Sequence, residues 1–306
     1  MRSIIHIGVG KTGTTSLQEN LLARHPSILN IGRPWRDEDS RKAAQQLIRL
    51  DDWDYDAVWM AQYFKRLAAE AAEKSATLVL SDEILSSSEV LSLTARRLHS
   101  LLPDAEIVCT LRHQVALVES FYTAHATMLK GVPGRWNGRS VSFAEWLDHA
   151  LAIFPAGYLG LLRFDRLLGI FAQAFGQDRI HVFLYEELLA DPTTYWGRWA
   201  RLLGIETGEA VNLMAAPRKN ERSSAREAAY QAVRSHILPN ASLTKLMPFG
   251  NAARATVRQL LKGGKPHTIR LREADQAAIN LLFAGSNRHV AEQFNLDLGR
   301  FNYPLK

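Results

Sequence analysis

The chain has 306 residues, 47% of them hydrophobic and 22% charged, which is enough apolar material for a large core and excludes a disordered or fibrous polypeptide. Its 37 Lys and Arg outnumber 31 Asp and Glu, for a net charge of +6 that suits an anionic ligand, a membrane surface or a polyanion without choosing among them. The single cysteine, Cys109, excludes an intramolecular disulfide and points to a reducing, cytoplasmic setting; in the apolar run 105–111 it reads as a core thiol. Residues 1–7 are too short for a signal-peptide core, and no stretch approaches the roughly 20 apolar residues needed to cross a bilayer, so peripheral membrane contact is the most that is expected.

In chain order, residues 3–9 predict a first strand and 14–24 a helix, with 28–31 a short strand. A helix over 55–74, a strand at 77–81, a helix over 89–101, a strand at 106–111 and a helix over 115–129 follow. Residues 131–139 hold three glycines and Trp136 and read as a mobile loop rather than a domain boundary. A helix over 159–175, a strand at 179–184 and a helix from Pro192 to Leu203 come next, and helical period returns over 270–294. The strands are nearly continuous apolar runs, as strands buried on both faces require. With right-handed crossovers the pattern predicts an α/β fold: a doubly wound, three-layer αβα arrangement around a central parallel sheet of about four or five strands. A single domain over 1–306 is expected, with 236–268, rich in Pro, Gly and Lys, as a lid or partly disordered insertion.

The segment Gly8-Val9-Gly10-Lys11-Thr12-Gly13-Thr14-Thr15 lies where the first strand hands over to a helix, whose unpaired N–H groups and positive dipole end attract an anion. Set against the nucleoside-triphosphate loop G-x-x-x-x-G-K-S/T, the Gly8 to Gly13 spacing and Thr15 agree, but Thr14 stands where the lysine should reach the outer phosphates. The lysine is instead Lys11, in mid-loop, aimed at the bridging oxygen on which charge builds as an outer group leaves. A second fragment, Thr110 to Tyr122, ends a strand in Arg112 and carries Ser120 eight positions on; a planar guanidinium and a hydroxyl suit one phosphate.

Lys11-Thr12-Gly13-Thr14-Thr15-Ser16 resembles the 5′-phosphosulfate loop of the sulfotransferase family. That resemblance implies a P-loop-like sulfotransferase fold and 3′-phosphoadenosine 5′-phosphosulfate (PAPS) as donor, held by Gly10, Lys11, Thr12, Gly13, Thr14, Thr15 and Ser16. The fragment after Thr110 resembles the family's 3′-phosphate motif, Arg-x-Pro-x-x-Arg-x-x-Ser-x-Tyr, which implies that role for Arg112 and Ser120; Gln114 and Leu117 replace the usual proline and second arginine. Tyr185-Glu186-Glu187-Leu188 resembles the family's Tyr-Glu-Asp-Leu and implies Tyr185 near the adenine. Arg218, Lys219 and Asn220 stand where the family has a late loop over the 3′-phosphate.

Carbohydrate sulfotransferases draw a glutamate or histidine base from about the region of Ser81-Asp82-Glu83, so Glu83 is expected to take the acceptor's proton, with Asp82 as alternative; His113 and His125 are weaker candidates and His6 reads as core. Without a Cys/His cluster or H-E-x-x-H spacing no metal is expected, Lys11 and backbone donors replacing it. The acceptor is expected to be a hydroxyl of a carbohydrate or glycolipid, with Trp35, Trp53, Trp59, Trp136 and Trp146 as candidate ring faces; nucleic acid is not an expected partner. Two rivals are a Mg/ATP-dependent P-loop kinase, which needs a lysine where Thr14 stands, and a non-enzymatic polyanion or membrane-surface binder using stretches such as 262–272.

Overall fold

The apolar runs form five strands, β1 (Ser3–His6), β2 (Ile28–Asn30), β3 (Thr77–Ser81), β4 (Glu106–Leu111) and β5 (Ile180–Leu184), every adjacent pair parallel in the order β2-β3-β1-β4-β5. In this computed structural model the described residues are 2–88, 90–126, 136, 138–215, 224–237, 267–269 and 271–306. The expected lid at 236–268 lies outside them except at its ends.

Side chains alternate across the sheet, so Ile4, Val79, Val108 and Phe183 share one face. They pack with Leu17, Leu21 and Leu22 of the helix after β1, with Trp196 and Trp199 of α10 (Pro192–Leu203), and with Ala210 of α11 (Thr207–Met214). Ile5, Leu80, Ile107 and Cys109 take the alternate positions, and α3 (Ala57–Glu73) and α8 (Phe164–Phe175) pack against the strands there. Cys109 is fully buried, and burial pushes its thiol up to about 12, so it stays protonated core material. The chain leaves β1 for edge strand β2, returns to β3, then crosses to β4 and β5 on the other side, which puts the topological switch point between β1 and β4.

Several elements depart from the sequence expectation. The helix at 14–24 is three α-helical residues, α1 (Thr14–Ser16), followed by a π-helical stretch over Leu17–Leu22. The helix at 115–129 is α5 (Gln114–Phe121), continued as a π-helix over Tyr122–Ala126. The helix at 159–175 is two, α7 (Gly157–Leu161) and α8. Five helices were not expected at all: α2 (Glu38–Ile48), α6 (Phe143–Ala152), α9 (Tyr185–Ala190), α11 and α12 (Ala225–Ile237). The sequence does carry capping signals for two of them, since Asp37 accepts from the Ser40 N–H and Ser142 from the Glu145 N–H. The last helix, α13, spans Glu273–Phe294.

The residues fall into two compact units, one of 1–113, 163–219 and 284–305, the other of 114–162, 220–283 and 306. The break between α7 and α8 coincides with the passage from the second unit back to the first.

Beyond β2, Gly32 runs against the end of β3: a Cβ there would stand 2.2 Å from the Ser81 carbonyl oxygen and 2.4 Å from its nitrogen. Backbone cannot retreat as a side-chain tip can. Gly32→Ala is therefore expected to cost about 3 kcal/mol, read as a lower urea midpoint with unchanged slope; an unchanged midpoint would show that the strand end moves aside freely.

Candidate active site

The loop after β1 occupies one wall of the switch point. Thr12 Oγ1 donates to the Val9 carbonyl at 2.6 Å, closing the loop on itself, so this buried hydroxyl serves the loop's shape. Lys11 and Gly13 both have left-handed backbone, φ 72° and 86°. For lysine that costs roughly 1–2 kcal/mol, a cost typical of functional turns. Among the described residues, no atom beyond its own chain neighbours lies within 4 Å of where a Cβ would stand on Gly10, so their packing does not demand glycine there; close approach of an anion to the backbone would. The Thr15 and Ser16 hydroxyls, both half-buried, make no hydrogen bond among the described residues.

Under the loop lies a polar cluster inside the core. His6 Nδ1 is 2.8 Å from Ser81 Oγ, and Gln18 Nε2 donates to Ser81 Oγ at 3.1 Å and to the Ser81 carbonyl at 3.3 Å. The His6 ring meets Trp199 edge-on at 5.2 Å, and a Cβ on Gly8 would stand 2.4 Å from its Nε2. Burial drives the His6 pKa from 6.5 to about 3, so the folded protein keeps it neutral. The unfolded chain takes up that proton first, so His6 makes stability fall as pH drops from about 6.5 toward about 3. The expected slope from this one group is about 1.4 kcal/mol per pH unit. Urea midpoints of wild type and His6→Asn at pH 7.5 and 5 check it: the wild-type loss should be the larger, and parallel losses would refute the assignment.

At the end of β3 the two carboxylates have different surroundings. Asp82 is 0% exposed; its Oδ1 accepts from the Ile84 N–H at 3.1 Å and lies 3.0 Å from Arg33 Nε, off the N–H axis, while Oδ2 has no hydrogen-bond partner among the described residues. Burial raises its pKa, opposed by the Ile84 N–H and Arg33. Glu83 is half-buried and its Oε2 accepts from the Thr14 hydroxyl at 2.5 Å. The structure thus brings Glu83 to the loop and sets Asp82 back as the cap of the 3-10 turn Glu83–Ser87.

Arg112, just past β4, forms the other wall. Its guanidinium donates to the Lys11 carbonyl at 2.9 Å and lies 4.8 Å from the centre of the Tyr185 ring. Tyr185 opens α9 (Tyr185–Ala190) just after β5, and its ring edge is 3.4 Å from where a Cβ on Gly13 would stand. The carboxyl ends of β1, β3, β4 and β5 therefore bring Lys11, Gly13, Thr14, Glu83, Arg112 and Tyr185 together.

Ser120 lies on α5, in the second unit, half-buried and without a hydrogen bond among the described residues. The two positions where the phosphate motif departs, Gln114 and Leu117, are both 0% exposed, so Leu117 packs where an arginine could not. His113 Nε2 is 2.9 Å from the Asn302 carbonyl, which only accepts, so that nitrogen carries the proton. Arg218, Lys219, Asn220 and the His125 side chain lie outside the described residues. Gln18 and Glu186, which support the site from below and beside it, were not singled out from the sequence; Glu186 could have been, since it follows Tyr185 in the recognised motif.

Residues 3–209 match the family model described as Sulfotransferase family. The chain belongs to the sulfotransferase family. No curated protein matches this sulfotransferase. Among solved structures, it resembles a sulfotransferase from Alicyclobacillus acidocaldarius with TM-score 0.56 and 17% identity, covering 98% of this chain and 99% of that one, which shows a common fold. The sulfotransferase domain of the Synechococcus PCC 7002 olefin synthase aligns with TM-score 0.44 and 16% identity over 92% of this chain and 94% of that one. Among the described residues no group of three or more His, Cys, Asp or Glu side chains is placed to hold a metal ion, and no helix is long and apolar enough to cross a membrane.

Proposed function

We propose that this sulfotransferase takes its sulfuryl group from PAPS and delivers it to a hydroxyl of a carbohydrate or glycolipid. The observation that carries the donor assignment is the 2.9 Å contact between Arg112 and the Lys11 carbonyl: the two anion-binding elements stand side by side at the switch point, where one nucleotide with phosphate at both ends can span them. Gly10 to Ser16 would take the 5′ end through backbone N–H groups and the Thr15 and Ser16 hydroxyls, and Arg112 with Ser120 the 3′-phosphate. Tyr185, beside both Gly13 and Arg112, would lie along the adenosine, and Arg218, Lys219 and Asn220 would close over the 3′-phosphate. PAPS supplies an activated sulfuryl group that carries less charge than a phosphoryl group. Lys11 then stabilises charge on the leaving oxygen, and Glu83 accepts the acceptor's proton, with no metal required.

Thr14 speaks against the kinase reading, because the place of the phosphate-binding lysine holds a threonine that is 4% exposed and bonded to Glu83. Of the five candidate tryptophans, Trp136 and Trp146 are 9% and 4% exposed and serve packing. Trp35 supports a sugar acceptor, since it lies on the segment after β2 with its ring 5.5 Å from the Arg33 guanidinium carbon, and Arg33 in turn meets Asp82. One catalytic domain over 1–306 and a cytoplasmic location belong to the same proposal.

Thermal shift with 3′-phosphoadenosine 5′-phosphate (PAP), and separately with Mg/ATP, tests the donor: PAP should stabilise by RT ln(1 + [L]/Kd) and Mg/ATP should not. A preference for Mg/ATP would restore the kinase. Transfer of label from radioactive donor to a panel of sugars, glycolipids and phenols tests the acceptor.

A further inference from the structure

Only two residues, Arg112 and His113, link β4 to α5, and the second is held from the far end of the chain. Glu186 Oε1 accepts the His113 backbone N–H at 3.0 Å, and Glu186 Oε2 accepts the Tyr303 hydroxyl at 2.9 Å. His113 Nε2 donates to the Asn302 carbonyl at 2.9 Å, and the His113 and Tyr303 rings lie 5.3 Å apart. Asn302 presents that carbonyl from a left-handed turn, φ 58°, after the 3-10 helix Gly299–Phe301. Tyr303 is 3% exposed, and burial together with Glu186 keeps its hydroxyl protonated far beyond neutral pH, so it remains a donor. This latch joins three elements, and its tail lies beyond residue 209, where the family match ends.

Its position beside Arg112 has an electrostatic consequence. Glu186 is a carboxylate one residue from Tyr185, whose ring lies against the Arg112 guanidinium, and left to itself it would compete for that cation. Both of its oxygens are occupied elsewhere, and among the described residues it forms no ion pair with Arg112. Among the described residues Arg112 spends one N–H on the Lys11 carbonyl, which leaves its other donors for an anion.

We propose that Tyr303 and Glu186 are positioning residues for donor selectivity: they pin the peptide that carries Arg112 and hold the neighbouring carboxylate away from its guanidinium, so that the C-terminal tail governs how tightly the 3′-phosphate is held. This rests on the reading that Arg112 binds the 3′-phosphate.

The test is the ratio of Kd values for adenosine 5′-phosphate and PAP, which differ only in the 3′-phosphate, measured by calorimetry on the full chain. Wild type should favour PAP. Tyr303→Phe, which keeps the buried ring and removes one donor, should shrink that preference about tenfold by weakening PAP alone, the size expected for one hydrogen bond to a charged group. Glu186→Asp, which keeps the carboxylate but shortens its reach to His113 and Tyr303, should do the same, and serves if the Phe variant melts too early to titrate. An unchanged ratio in both folded variants, or equal weakening of both nucleotides, overturns the latch while leaving Arg112 in place. A wild type that does not distinguish the nucleotides, or an Arg112→Ala variant that keeps the full preference, overturns the Arg112 reading itself and the latch with it.

Discussion

Lys11→Ala is expected to lower sulfuryl transfer by about a thousandfold while leaving the Kd for PAP within a few-fold of wild type. The size follows from removing one donor aimed at developing charge. The loop's backbone contacts survive the change. Lys11 contributes to the loop through its left-handed backbone, and its carbonyl, which accepts from Arg112, survives the substitution. Thr12 still closes the loop onto Val9. What disappears is the ammonium, which matters most when the leaving oxygen gains charge and less for a product that no longer carries the sulfuryl group. Radiolabel transfer and PAP calorimetry on the same preparation check it. A rate near wild type would remove Lys11 from the chemistry, and a PAP affinity lost in parallel with the rate would make it a binding residue only.

Glu83→Gln should lower turnover by about a hundredfold to ten-thousandfold, the usual worth of a positioned base. The amide oxygen of glutamine can still accept from the Thr14 hydroxyl, so the contact between the β3 end and the loop persists and donor affinity should hold. Only the capacity to take a proton is lost. An unchanged rate would move the base elsewhere. Asp82 would be the first to try, although its full burial and its engagement with Ile84 and Arg33 make it a cap more than a reagent.

Much of the fold could be read directly. The bounds of β3 and β4 were exact, because a strand buried on both faces is written as an uninterrupted apolar run ended by a polar residue. α10 was equally plain, with Asp191 capping it, Pro192 at its first turn and Gly204 in left-handed conformation at its end. The overlooked helices α2, α6, α9, α11 and α12 run from 6 to 13 residues against 12 for α10, so length does not set them apart; α10 differs in having Pro192 at its first turn and Gly204 at its end. The π-helical turn of Leu17–Leu22 had no sequence signal of its own; Gln18, reaching Ser81 inside the core, marks it only once the partner is known.

For the site, the sequence by itself determined the chemistry on offer: a glycine-bearing loop with a displaced lysine, an arginine closing a strand, and carboxylates at the end of another. Each is a local pattern whose meaning follows from backbone sterics and side-chain functional groups. Tertiary structure alone decided which of them meet. Strand order set β1 between β3 and β4, and so brought Glu83 rather than Asp82 to Thr14 and Arg112 to Lys11. It also returned Tyr303 to Glu186, 117 positions earlier. Contacts across such separations depend on how helices and strands pack in space, and no pattern within a window of neighbouring residues encodes that.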